Sequence, residues 1–299
     1  YIGDVKYRKQ ISKRLRRLGL NEAKTYTLVS PDMAKLFDYE KKEKVILPNP
    51  MSIDKSIVRT SIIPSLLNVY NYNKKRKVKD ILLYEVAKTY DKSYNEESKI
   101  AGLLSGNYMS NGWNFTKKID FYVVKGIVED LLDYMGFKNR YSFIPGGVDD
   151  LHPGISAKIL LDRKEIGIIG RVHPKILKDE VYVFEISLQA LMSKIKPLKY
   201  KEAPKYPGIE KDMAFILDKN IMASSVIETI KRAGGRLLSD IKVFDVYTGG
   251  NVKENEKSIA FSLTFEDKTR TLTDEEVMVV FNNIIEKVEK LHNAQLRDK

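Results

Sequence analysis

Residues 243–265, VFDVYTGGNVKENEKSIAFSLTF, decide how the last hundred residues fold. Strand-forming runs flank Thr248-Gly249-Gly250-Asn251, and paired glycines between such runs signal a chain reversal. The run before the turn extends back to Leu238. The run after it, Lys257–Phe265, alternates apolar and polar positions, as a strand with one buried face does. Outward on the upstream side, Ala223–Ala233 carries a helical period and stops at Gly234-Gly235, and Asp212–Leu217 (DMAFIL) reads as a further strand. Outward on the downstream side, Thr273–Leu291 is a helix whose Thr273 and Glu276 are spaced for a capping box, and Ala294–Arg297 can supply a short last strand. The order is βαββαβ, the ferredoxin-like topology.

Before this block, Lys194–Pro207 holds three prolines, five lysines and no apolar period, so it reads as a linker. Further upstream, Val5, Ile11, Leu15 and Leu18 fall at helical spacing and Gly19 follows them; Glu22–Val29 is rich in strand formers. Ser61–Asn73 reads as a helix with Pro64 in its first turn. Ile81–Tyr90 and Lys99–Ser105 form a hairpin, and Asn107–Lys118 is a polar loop holding the single Trp113. Phe121–Met135 has the strongest 3.6-residue period of the chain. Strands are expected over Tyr141–Ile144, Ser156–Leu161, Ile166–Val172 and Val181–Ile186, then a short helix over Leu188–Ile195. Residues 1–200 are thus an α+β domain built on a largely antiparallel sheet, and residues 203–299 are the second domain.

Composition narrows the chemistry. The chain has 299 residues, 52 basic and 40 acidic, and 43% hydrophobic positions, which is a globular balance. It has no cysteine, which excludes disulfides, thiolate metal sites and a cysteine nucleophile. No apolar run reaches the ~18 residues of a membrane span and no signal core opens the chain, so a cytoplasmic protein is expected. Tyr1 in place of Met suggests a piece of a longer chain. Residues 1–202 hold 37 basic and 24 acidic side chains, a balance of +13, whereas the remaining 97 hold 15 and 16. The excess is densest at KYRKQISKRLRRLG (Lys6–Gly19) and NKKRKVK (Asn73–Lys79). Such runs attract a polyanion such as RNA, or simply solvate a helix face. The last domain has no such excess, so any nucleic acid there must be held by stacking and hydrogen bonds.

His152, His173 and His292 show no metal-ligand spacing and are expected to be structural, and there is no GxxxxGK[ST], GxGxxG or GxSxG. Pro145-Gly146-Gly147 is followed by no helix, so it is a turn and not a phosphate cradle.

Five ordered blocks carry a resemblance that spans almost the whole chain: LPNPMSIDKSIVRTSIIPSLL (Leu47–Leu67), DFYVVKGIVEDLL (Asp120–Leu132), LHPGISA (Leu151–Ala157), IGIIGRVHPKIL (Ile166–Leu177) and VFDVYTGGNV…KSIAFSLTFED…RTLTDEEV (Val243–Val277). Together they resemble the C-terminal half of the bacterial phenylalanyl-tRNA synthetase β subunit. The resemblance implies a class II synthetase-like core over residues 1–200, used for subunit assembly, and a ferredoxin-like anticodon-binding domain over 203–299. The helix and strand of residues 4–29 would be the class II interface motif. Active class II sites place one phosphate-binding Arg on a hairpin strand and another at a helix start. Here VAKTYDKS (Val86–Ser93) offers Asp91 near the first position, and VYVFEISLQALMS (Val181–Ser193) contains no Arg at all. The domain is therefore expected to be non-catalytic, with no metal site.

By the same resemblance the whole enzyme is an ATP- and Mg2+-dependent phenylalanine–tRNA ligase, a tetramer of two α and two β chains, with the editing domain upstream of this segment. The α subunit and tRNA(Phe) are the implied partners. Asp245, Tyr247 and Ser258 match the family's anticodon site: Tyr247 to stack on a base, Asp245 to accept from a guanine edge, Ser258 to touch base or phosphate. Lys257 and Arg270 are candidates to steer the RNA backbone, with ordinary exposed cations as the competing reading. Two rival readings are a stand-alone RNA-binding or regulatory protein built from the same domains, and an independently active ligase.

Overall fold

A computed structural model describes residues 4–195, 205–249 and 252–297, so the Lys194–Pro207 linker and the Gly249-Gly250-Asn251 turn lie largely outside the described residues. The chain falls into two compact units, Tyr1–Leu198 and Lys199–Lys299. In chain order the first contains α1 (Asp4–Arg17), β1 (Asn21–Glu22), β2 (Leu28–Val29), β3 (Ile57–Val58), α2 (Ile63–Lys75), β4 (Ile81–Tyr90) and β5 (Glu96–Ser105). There follow β6 (Asn107–Ser110), β7 (Thr116–Lys118), α3 (Phe121–Tyr134), β8 (Tyr141–Pro145), β9 (Leu151–Leu161), β10 (Lys164–Val172), β11 (Tyr182–Ser187) and α4 (Leu188–Met192).

Seven strands make one sheet in the order β1-β4-β5-β11-β10-β9-β8. Only the β1–β4 pair is parallel. Alternation assigns its faces. Ile100 and Leu104 of β5, Tyr84 of β4 and Phe184 and Ile186 of β11 meet Ile11 and Leu15 of α1, Val124, Ile127, Val128 and Leu131 of α3, and Leu188 of α4. Their neighbours in the strands, Ala101, Leu103, Ile81 and Val183, point the other way onto Ile63, Leu66, Leu67 and Tyr70 of α2. The period read over residues 121–135 is this α3 stripe, and Asp120 caps the helix by accepting from the Val123 N–H at 2.8 Å.

Two local expectations give way. Glu22–Val29 is not one strand: only its ends pair, in β1 and β2, because Thr25 leaves the sheet to give its N–H and hydroxyl to the Glu85 carboxylate (3.1 and 2.6 Å). Asn107–Lys118 is not a loop but a hairpin, β6–β7, whose tip is fixed by Asn111: its side-chain oxygen accepts from the Phe115 N–H at 2.8 Å and its backbone N–H reaches the Phe115 carbonyl at 3.1 Å. Trp113 stands at that tip, 86% exposed.

The α2 face also buries charge. Glu185 is fully enclosed at the start of α2, where its carboxylate accepts from the Ile62 N–H (2.7 Å), the Ser61 and Tyr39 hydroxyls (3.0 and 2.9 Å) and the Lys99 ammonium (3.4 Å). It supplies what α2 lacks, since Ile62 at the N-cap has no side-chain acceptor and the helix dipole favours an anion there. Lys99 also meets Glu40 at 2.8 Å, and Arg59 pairs with Glu85 at 3.1 Å beside it.

The second unit contains β12 (Ile209–Asp218), α5 (Ala223–Gly234), β13 (Leu238–Tyr247), β14 (Glu256–Phe265), α6 (Asp274–His292) and β15 (Gln295–Leu296). Its sheet runs β13-β14-β12-β15, with every pair antiparallel. This is the ferredoxin-like arrangement expected from the βαββαβ order. Phe215, Phe261, Leu263 and Phe265 face Val226 and Ile230 of α5 and Val277, Ile284 and Val288 of α6. The Thr273–Glu276 capping box forms.

Candidate nucleic-acid interface

Both helices of the second unit pack on one side of its sheet, so the other side is left without a layer. Cross-strand register places the residues of that open side. Tyr247 pairs with Ser258, which pairs in turn with Ile216; Asp245 pairs with Ala260, and Ala260 with Ala214. Paired residues share a face, and Ile259 and Phe261, the alternate positions, are in the helix-covered core. Asp245 and Tyr247 therefore stand together on the edge strand beside a floor of Ser258, Ala260, Ala214 and Ile216, of which only Ile216 is large. A one-residue irregularity between Val243 and Asp245 precedes them and resets the alternation, so Val243 points to the helix side.

Tyr247 is 42% exposed, which suits a ring offered to an unpaired base. Asp245 is exposed. Ser258 is only 3% exposed, because Arg297 lies across it: the guanidinium is 3.5 Å from the Ser258 hydroxyl and 5.8 Å from the centre of the Tyr247 ring. Ser258 is thus a covered floor residue, and Arg297 joins it and Tyr247 on this side. Its N–H bonds the Ala214 carbonyl at 2.8 Å, which continues β15 along β12 and brings the last described residue onto the open side. No local pattern signals this; only the register of three strands does.

Lys257 and Arg270 serve the fold. The Lys257 ammonium donates to the Lys219 carbonyl at 2.8 Å, and burial lowers its pKa from the ordinary lysine value. Arg270 forms a two-pronged pair with Glu276 (2.8 and 2.7 Å) and, with the Thr273 N–H, holds that carboxyl down to about 2. The histidines are likewise local fasteners. His152 and His173 each accept a backbone N–H two residues on (3.1 and 3.0 Å), and His292 meets the Thr229 hydroxyl at 2.8 Å.

At the two positions singled out in the first unit, the side chains present do not suit a triphosphate. Asp91 sits in the turn of the β4–β5 hairpin, where the Asn95 side chain and N–H (3.1 Å each) hold its carboxyl below its ordinary range and keep it anionic. β11 and α4 carry Glu185, already saturated, and no arginine. Among the described residues no cluster of three or more His, Asp or Glu could hold a metal ion.

Comparison with known proteins finds two family models along the chain. Residues 3–188 match the family model for the phenylalanyl tRNA synthetase beta chain CLM domain, and residues 204–297 match the ferredoxin-fold anticodon binding domain. The phenylalanine–tRNA ligase beta subunits of Geobacillus kaustophilus (strain HTA426) and Bacillus subtilis (strain 168) are 39% and 38% identical to this chain over 301 residues, covering 97% of it and 37% of each relative. The chain spans little more than a third of the length of these relatives. A solved pyrrolysyl-tRNA synthetase of Desulfitobacterium hafniense shares 13% identity at a TM-score of 0.49 over 63% of this chain and 67% of its own. With two family models tiling 3–188 and 204–297, the chain belongs to the phenylalanyl-tRNA synthetase beta-chain family and corresponds to the C-terminal part of that subunit.

Proposed function

We propose that this chain is the assembly and anticodon-reading part of a cytoplasmic phenylalanine–tRNA ligase. Residues 203–299 read the anticodon of tRNA(Phe) on the open side of the sheet, and residues 1–200 form a non-catalytic core that joins an α subunit in an α2β2 tetramer. Adenylate formation with ATP and Mg2+ belongs to the α subunit in this reading. The observation that carries the proposal is the meeting of Asp245, Tyr247, Ser258 and Arg297 on an uncovered sheet face. A base stacks on Tyr247, its amino edge meets the Asp245 carboxylate, and Arg297 swings from Ser258 onto phosphate or base.

The test is binding of an anticodon stem-loop to the wild-type chain and to Tyr247→Ala, followed by fluorescence anisotropy. Loss of about 1–3 kcal/mol is expected for a stacked base. Unchanged affinity removes Tyr247 from the site. The same stem-loop with its first anticodon base changed from guanine to adenine separates stacking from recognition: Asp245→Asn should narrow the difference between the two RNAs.

A further inference from the structure

The end of α2 carries five cations within six residues: Lys74, Lys75, Arg76, Lys77 and Lys79. A helix C-terminus favours a cation or two beside its free carbonyls. This one has more than that, and their setting departs from simple solvation in two ways. Arg76 is not extended into water. Its guanidinium lies on the exposed Tyr72 ring, 3.4 Å from the ring centre, and one nitrogen donates to the Tyr72 carbonyl at 3.0 Å. The guanidinium is thereby held at an exposed position, and a planar fork fixed in this way suits a phosphate. Lys77 stands at the left-handed position that closes the helix, with φ +64°. The Val78 N–H returns to Asn73 at 3.2 Å and the Lys77 N–H to Lys74 at 2.9 Å. Glycine is the residue that fits this closure without strain; here a lysine occupies it.

These charges are also uncancelled. Lys74 reaches Asp179 at 3.5 Å, but Lys75, Arg76, Lys77 and Lys79 form no ion pair with any carboxylate among the described residues. The nearby acids have other partners: Asp80 accepts the Asn107 N–H at 2.7 Å, Asp179 the Tyr70 hydroxyl at 2.8 Å, and Glu180 pairs with Lys118 at 2.5 Å.

We propose that the exposed end of α2 is a second RNA-contacting surface, on which Lys75, Arg76, Lys77 and Lys79 bind phosphates of a tRNA backbone without reading its sequence. The inference rests on the reading of the chain as a tRNA binder, but its site lies in the other unit from Tyr247. Phosphate contacts release counterions, so each one adds about 0.7–0.9 to the slope of log affinity against log salt.

The test is anisotropy titration of whole tRNA(Phe), and of a mixed-sequence RNA duplex, with the full chain over roughly 50–200 mM salt. The variant Lys75→Gln/Arg76→Gln/Lys77→Gly should flatten the slope by about 2 to 3 and weaken both RNAs about ten- to a hundredfold near physiological salt. Lys77→Gly alone should raise the melting temperature while lowering the slope by about 0.7–0.9. A raised melting temperature with an unchanged slope in both variants overturns the proposal. If instead the triple variant keeps its RNA affinity but stops co-migrating with the α subunit, the surface is a protein interface and the RNA assignment is lost. Failure of the anticodon reading is seen separately, as a Tyr247→Ala chain that binds the stem-loop normally.

Discussion

Lys99→Met is expected to lower the stability of the first unit by about 3–5 kcal/mol, the usual outcome of removing one partner from a buried ion pair. Met matches the lysine stem in length, so little volume is lost. What remains is the Glu185 carboxylate, 0% exposed, still holding the Ile62 N–H and two hydroxyls but with its only fully buried countercharge gone. Adding Glu185→Gln removes the stranded charge while keeping an acceptor for α2, and the double variant should therefore be more stable than Lys99→Met alone. Urea unfolding of the three chains measures this. A double variant less stable than the single one would mean that the carboxylate is worth more to the helix start than it costs unpaired.

The same cluster sets an acid limit. Burial works to raise the Glu40 carboxyl, but the charges and hydrogen bonds of Lys99 and Lys42 outweigh it and hold the pKa below the ordinary 4.5. A carboxyl lowered on folding stabilises the folded chain above its unfolded value, and that stability is lost as pH falls through the folded one. Unfolding stability followed downward from pH 6 should thus fall less steeply in Glu40→Gln than in the wild type. Parallel curves would exclude Glu40 as a source of the acid loss.

In the second unit the largest effect is expected at Phe261. It lies fully buried beneath the open side of the sheet, its ring 6.4 Å from that of Phe215. Phe261→Ala should cost about 3–5 kcal/mol. For a unit of this size that is a fall in melting temperature of more than about 12 °C. If the proposed reading holds, stem-loop binding should fall with it above the new transition, although Phe261 faces the helix side. Ser262→Ala, one residue along and on the open side, should change stability by less than about 0.5 kcal/mol. Calorimetry of the two variants tests the assignment of faces; similar losses from both would show that the open side is not open.

These contrasts track what the sequence could convey. The α3 stripe, the β4–β5 hairpin and the βαββαβ order were legible because period, turn residues and caps are local. Asp245 and Tyr247 could be seen as a pair because two residues along a strand share a face. Ser258 was legible as a neighbour but not as a covered one, since Arg297 arrives over it only through the pairing of β15 on β12 and β12 on β14. Glu22–Val29 reads as a strand by composition, but a carboxylate sixty residues away, Glu85, draws Thr25 out of line. The β6–β7 hairpin lacks apolar alternation and depends on a side-chain amide folding its own tip. Lys99 and Glu185, 86 positions apart, are joined by the adjacency of β5 and β11, which no single window contains.

Trp113 gives the hairpin a practical use. It is the sole indole in the chain, and it is already wet in the native state. Its emission should barely shift when either core melts, so an optical thermal scan at that wavelength would pass over both transitions. Whatever settles on the hairpin would dry the ring and blue-shift it, making the native molecule its own dye for encounters at that tip.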